Sequence, residues 1–406
     1  MRRFANFYIV MFLIDAGLSL IDELLVASSS QWQLFSGLRS STAYVVVTLS
    51  LVLYAFLGID RRLPKRVFLP LTLYVFWSAL ALWPLSAVIS RESLGLIAAA
   101  AQLLLGGIAV LLLRSTGGEP LLSATQFRGS LFSWRNTLSF AAIHLLLLPF
   151  LLIYTSLAMT SHYLEQQTAG FLRLSPVGIY MSERSYYRDD KVVRLAGMMH
   201  IGNEDYYQDM VASLSTDGAI ILAEGVTDHD KLLVNQFNYS KLAGAIGLSS
   251  QRKMRISGNL IDLNRLEEMD PDARGQGKPD IAGADIDVSQ FHPQTIAFLN
   301  ELGRTLFGDK PLLEGLAEYN AWVNENMTPE WIAGVMTDIL DKRNALVIDN
   351  MVRSLEYYDT VIIPWGAMHM PAIEAAVLKL GFAPGDERER LSVDFREIPF
   401  AELWQK

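Results

Sequence analysis

The sequence predicts an α/β protein in which an N-terminal bundle of about five transmembrane helices precedes a soluble domain with a mainly parallel sheet flanked by helices. Three observations predict it. Apolar stretches of span length crowd into residues 1–158. The charge balance changes sign there: residues 1–158 carry 11 Lys/Arg against 6 Asp/Glu, and the remainder 23 against 37. From residue 191 onward, short β-branched runs alternate with segments of helical period.

A bilayer span needs about 20 mostly apolar residues. Stretches at 4–26, 43–59, 68–90, 94–113 and 137–158 are candidates. In the first, Asp15 lies mid-run and Asp22-Glu23 near the end, so it is either a span holding a carboxylate or a signal sequence. Its length and Asp15 favour the retained anchor. Within the bundle, Asp15 is a functional candidate or a hydrogen-bonded structural group, and His144 is expected to hydrogen-bond between helices. Arg61, Arg62, Lys65 and Arg66 follow the second stretch, and Arg114, Arg128 and Arg135 lie between the fourth and fifth. The positive-inside rule makes both loops cytoplasmic. The chain after about residue 159 is then extracytoplasmic, which in a bacterium means an inner-membrane protein with a periplasmic domain.

The composition excludes other classes. An acidic half lacks the basic face that a phosphate backbone requires, so nucleic acid is not an expected partner. There is no cysteine, which excludes disulfides, thiolate catalysis and Cys-ligated zinc.

Residues 159–190 are expected as a polar connector, with the soluble domain at 191–406. "KVVRLAGM" reads as a strand, followed by Asn203 as N-cap of the helix "EDYYQDMVASL". "AIILAEG" is a second strand. Residues 229–275 are expected to be mostly helical, with a loop at "DARGQGKPD". "ADIDVSQ" is a short extended piece before a helix from Pro293 to Phe307. A long helical stretch begins near Pro329, then come the strand "TVIIPWG", a helix opened by Pro371, and a last strand in "LSVDFREI".

His200 and His369 each lie just past a strand in a GxxH turn, and Glu224 ends the intervening strand. Open α/β sheets bind ligands at the carboxyl ends of their strands. Two imidazoles and a carboxylate converging there suit a divalent cation (zinc, manganese, cobalt or iron) and leave positions open for water or substrate. Gly197 and Gly366 are expected to permit a sharp turn or close approach. Met198, Met199, Met368 and Met370 are expected to pack, a copper(I) site being the alternative. Asp285 and Asp287 are candidates for a further ligand, a base or a cap. Arg343 and Asn344 lie on a helix and are candidates to clamp a substrate carbonyl or carboxylate. His162, His229 and His292 have no partner pattern and are expected at the surface.

At Gly197-Met-Met-His200 and Gly366-Ala-Met-His369 the sequence resembles the TraB/Tiki family of metalloproteases, whose wider superfamily includes erythromycin-esterase-like and haem-binding relatives. The resemblance runs from about Lys191 to Phe382 and includes Glu224 after the first motif and Arg343-Asn344 before the second. It implies metal ligation by His200 and His369, with Glu224 as ligand or base and Arg343 or Asn344 near the substrate. The expected function is that of a membrane-anchored metal-dependent hydrolase of a peptide or small amide or ester. The alternative is a non-catalytic protein that binds or senses a peptide or haem.

Overall fold

Residues 1–28, 33–89, 91–234, 243–244, 247–251, 254–308 and 312–399 are described by the computed structural model. The chain divides into two units, Met1–His162 and Tyr163–Lys406.

The first unit is built from α1 (Arg2–Ala27), α2 (Gln33–Ile59), α3 (Lys65–Ala79), α4 (Arg91–Gly117) and α5 (Trp134–Gln167), the last running across the boundary. Tyr8, Ile9 and Phe12 of α1 pack with Leu53 and Leu57 of α2, Phe68 and Leu71 of α3 and Leu113 of α4. Among the described residues, three segments are long and apolar enough to cross a membrane, Phe35–Ile59, Ser93–Gly117 and Trp134–Gln167; α1, which holds the first stretch expected from the sequence, is not one of them. The stretch 68–90 is not one continuous helix. α3 ends at Ala79, Ala81 and Leu82 adopt left-handed φ of 53° and 55°, and a 3-10 turn follows at Leu85–Ala87. α3 alone, with 15 residues, is shorter than a span, so a crossing at 68–90 needs the segment after Ala79 as well.

Polar groups inside this bundle are satisfied between helices. Asp15 accepts from Thr42 Oγ1 at 3.0 Å and from Gln102 Nε2 at 2.9 Å. His144 Nε2 meets Tyr54 Oη at 2.5 Å, the interhelical bond expected from the sequence. The two basic loops lie together: Arg61 N donates to Leu131 O, and the Arg62 guanidinium sits 4.2 Å from the Phe127 ring. Asn6, near the start of α1, exchanges two hydrogen bonds with the backbone of Leu122 at the same end.

The second unit is α/β, with a mixed sheet that is parallel in its larger part. β3 (Lys191–Met198), β9 (Thr360–Gly366), β5 (Ala219–Ala223), β8 (Asp280–Gly283) and β7 (Asn259–Leu260) lie side by side in that order, all parallel. Ile220, Ile221 and Leu222 of β5 and Val361, Ile362 and Ile363 of β9 are all fully buried. Consecutive buried residues mean that both faces are covered, which is why these strands read as unbroken apolar runs. The cover comes from α6 (Glu204–Leu214), α10 (Arg343–Ser354) and α11 (Met370–Lys379), through Met210, Leu214, Val347, Met351, Ile373 and Val377. α7 (Pro293–Phe307), α8 (Leu312–Asn326) and α9 (Pro329–Met336) precede α10, and a π-helical segment, Thr337–Lys342, joins α9 to it.

The rest of the sheet is antiparallel; its last strand (Ala383–Asp394) takes in the start of the strand expected at "LSVDFREI", whereas its first two strands were not expected. Residues within the supposed connector form β1 (Leu172–Ser175) and β2 (Gly178–Arg188). β2 pairs with β1, with β3 and, over most of its length, with β10 (Ala383–Asp394). Residues 229–275 also differ from expectation. Where described, they contain the two-residue strands β6 (Ser249–Ser250) and β7 and 3-10 turns at Leu263–Glu268 and Pro271–Ala273. Residues 235–242 of that range lie outside the described residues.

Candidate functional site

The register brings four strand ends to one edge. Met198 of β3 pairs with Gly366 of β9, Ile362 of β9 with Ile221 of β5, and Ala223 of β5 with Gly283 of β8. His200, His369, Glu224 and Asp285 follow these four ends within three residues. β9 lies between β3 and β5 although it follows both in the chain, so the chain reverses direction across the sheet at this point, where α/β folds open a crevice.

Glu224 stands at the centre. Its Oε2 accepts the Gly366 N–H at 2.7 Å, and its Oε1 accepts from Arg343 Nη2 at 2.9 Å. Arg343 also donates from Nε and Nη2 to Asp285 at 2.9 and 2.7 Å, and Asp285 accepts the Gly225 N–H. The Arg343 guanidinium lies 5.4 Å from the ring of Trp365, whose Nε1 donates to Leu222 O. One buried arginine thus holds two buried carboxylates, the pairing that makes their burial affordable in free energy.

His369 is 4 % exposed. Its Nδ1 is 2.8 Å from Asn344 Oδ1, and its ring stands edge-on to Trp365. Its Nε2 is 3.6 Å from Glu224 Oε1. Burial and then the positive charge of Arg343 bring its pKa down to about 4, against the pull of Glu224 and Asp285. The ring is therefore neutral at pH 7. Because an amide oxygen can only accept, the proton sits on Nδ1 and the lone pair on Nε2. That lone pair and a carboxylate oxygen, two acceptors, face each other.

His200 is exposed at the end of β3 and lines a cleft of about 1070 Å³ together with Glu224 and Arg343. The far wall is apolar, made by Leu233, Val234, Phe291, Phe298, Leu302 and Ile339. Among the described residues, no three His, Asp or Glu side chains already stand in metal-holding geometry. The donor set fits a cation in kind: a neutral imidazole, oriented through Nδ1 by a neighbouring oxygen, next to a carboxylate with lone pairs to spare.

Of the other sequence candidates, Arg343 and Asn344 do join the site: Arg343 lines the cleft, and the hydrogen bonds of the pair go to Glu224, His369, Asp285 and Ile339 O. Asp287 caps the turn Val288–Gln290 and accepts from Thr227 and His229, so of the two aspartates only Asp285 joins the site. His229 and His292 are exposed, as expected, but each is bonded to a carboxylate, Asp287 and Asp338 respectively. Met198 and Met370 are core residues and Met199 packs against that core, whereas Met368 is exposed. Neither GxxH glycine needs a left-handed φ. A Cβ on Gly197 would press on Ser182 O at 3.2 Å, while Gly366 has ordinary room. Trp365 and Gln251 were missed; the tryptophan lies inside the strand that carries the second motif and could have been suspected from it.

The chain matches no family model, no curated protein and no solved structure.

Proposed function

We propose that the second unit is a metal-dependent hydrolase acting on a peptide or a small amide or ester. The observation that carries this is His369 Nε2 facing Glu224 Oε1 at 3.6 Å while Nδ1 is committed to Asn344. His369, Glu224 and His200 would hold a divalent cation (zinc, manganese, cobalt or iron). Such a cation acidifies water and polarises a carbonyl at neutral pH. Asn344 fixes the tautomer of His369. Arg343 and the Gly366 N–H hold the Glu224 carboxylate toward the cleft, where it accepts a proton or completes the ligand set. The apolar wall of the cleft takes an apolar part of the substrate and excludes water beside the reacting group.

The helical unit is read as a membrane anchor with lipid as its partner. Support comes from α5, whose most apolar window is wholly unburied and carries exposed Leu145, Leu146, Phe150, Leu152 and Ile153. The contact between the two basic loops agrees with their being on one, cytoplasmic, side. The second unit is then extracytoplasmic.

The test is metal content of the purified chain, followed by a peptide-library screen with each metal added. Stoichiometric metal that is lost in both His200→Ala and His369→Ala supports the proposal. Full occupancy in either variant, or no turnover with any metal, refutes it in this form.

A further inference from the structure

The two GxxH histidines are held in the same way, although they follow different strands. His369 donates from Nδ1 to Asn344 Oδ1 at 2.8 Å, and His200 donates from Nδ1 to Gln251 Oε1 at 2.6 Å. Gln251 is itself fixed against His200. Its backbone N–H donates to His200 O at 2.9 Å. The residues beside it, Ser249 and Ser250, form β6, which pairs with Ile201–Gly202, the short strand β4 directly after His200. Side chain and backbone of Gln251 are therefore registered on one histidine by a two-residue ladder.

We infer that Gln251 is a positioning residue that sets the tautomer of His200, so that the ring carries its proton on Nδ1 and presents the Nε2 lone pair. A free neutral histidine side chain favours the opposite tautomer, with the proton on Nε2 and no lone pair there to give. An acceptor at Nδ1 reverses that preference, and a glutamine oxygen held at hydrogen-bond distance is such an acceptor. Asn344 performs the same task for His369, so both rings are prepared alike. The tautomer assignment stands on the hydrogen bonds alone; its use, to offer Nε2 to a cation, rests on the hydrolase proposal. Groups that orient a ligand histidine in this way typically change metal affinity by about 10–100-fold when removed.

The experiment uses the full chain in detergent, labelled with ¹⁵N-histidine. With six histidines in the sequence, His200→Ala identifies the signals of His200. The expected spectrum shows neutral His200 protonated on Nδ1. Gln251→Met, which keeps the length and removes the acceptor, should move the proton to Nε2, and Gln251→Glu, which restores an acceptor, should return it. Zinc affinity measured by calorimetry should fall about 10–100-fold in Gln251→Met and recover in Gln251→Glu. A wild-type His200 protonated on Nε2, or a Gln251→Met spectrum identical to wild type, overturns the inference and leaves the hydrolase proposal standing. A wild type that shows the expected tautomer but binds no divalent metal does the reverse.

Discussion

At the scale of single residues, the arginine clamp makes Glu224 testable. Glu224→Gln removes the charge, yet Arg343 keeps Asp285 as its counter-ion, so the fold should survive. The expected outcome is a fall in kcat of about 10²-fold or more, the usual scale for losing a general base, with an unchanged unfolding midpoint. Arg343→Met has the opposite profile, because it strands two buried carboxylates. It should cost about 3–5 kcal/mol, the usual penalty for removing one partner of a buried pair, as measured by denaturant titration of the solubilised chain. His369 sets a pH dependence. Its folded-state pKa of about 4 lies below the ordinary histidine value of 6.5. Its share of stability is therefore complete above pH 6.5 and disappears as the pH falls through about 4. His369→Gln should lack that part of the acid decline. His369, Glu224, Arg343 and Asn344 were all legible in the sequence, because each sits at a strand end or on the helix that feeds one. Their division of labour was not, since hydrogen-bond partners at 2.7–2.9 Å depend on packing that spacing does not encode. Gln251 was invisible for a similar reason: it lies 51 residues from the histidine it touches.

At the scale of elements, the parallel strands announced themselves by apolar runs, and β2 did not. "GIYMSERSYYR" carries Glu183 and Arg184 in mid-strand, a composition that reads as a connector. Structure explains how it enters a sheet. Glu183, 6 % exposed, accepts from Arg194 Nε of β3 at 3.1 Å and from Ser213 Oγ of α6, and lies 2.6 Å from Arg390 Nη1 of β10. Burial pushes the Glu183 pKa up, but the bonds and charges of Arg194 and Arg390 outweigh it and hold the carboxyl below its usual range. Its contribution is thus present above the ordinary carboxylate pKa and is lost in acid. Glu183→Ala should destabilise the second unit by about 3–5 kcal/mol, since it removes the carboxylate shared by Arg194 and Arg390 and leaves Arg390 with Asp209 alone. A change below 1 kcal/mol in denaturant titration would show that the network is dispensable. The π-helical turn at Thr337–Lys342 was equally hidden, for the sequence predicts one continuous helix there and the extra residue per turn leaves no periodic mark.

At the scale of the whole molecule, the division into an apolar helical unit and an α/β unit followed from composition alone, because hydropathy and charge are averages over many residues. The orientation of the helices is a prediction. Reporter fusions near Arg62 and after the last residue should give opposite compartments; equal signals from the cytoplasm would reverse the assignment. The order of the strands has one further consequence. β9 separates β3 from β5, and β10 closes β2 after a detour of about 200 residues. A ribosome delivers the chain N-terminus first, so β2, β3 and β5 must each wait, with an edge open, until β9 and β10 have been synthesised. Loop closure over such distances is slow. A nascent chain halted before Thr360 therefore owns His200 and Glu224 but has no neighbour to bring them together. The proposed site is incomplete until the chain has been made past His369, and chaperones that shield bare strand edges have their task on this half of the protein.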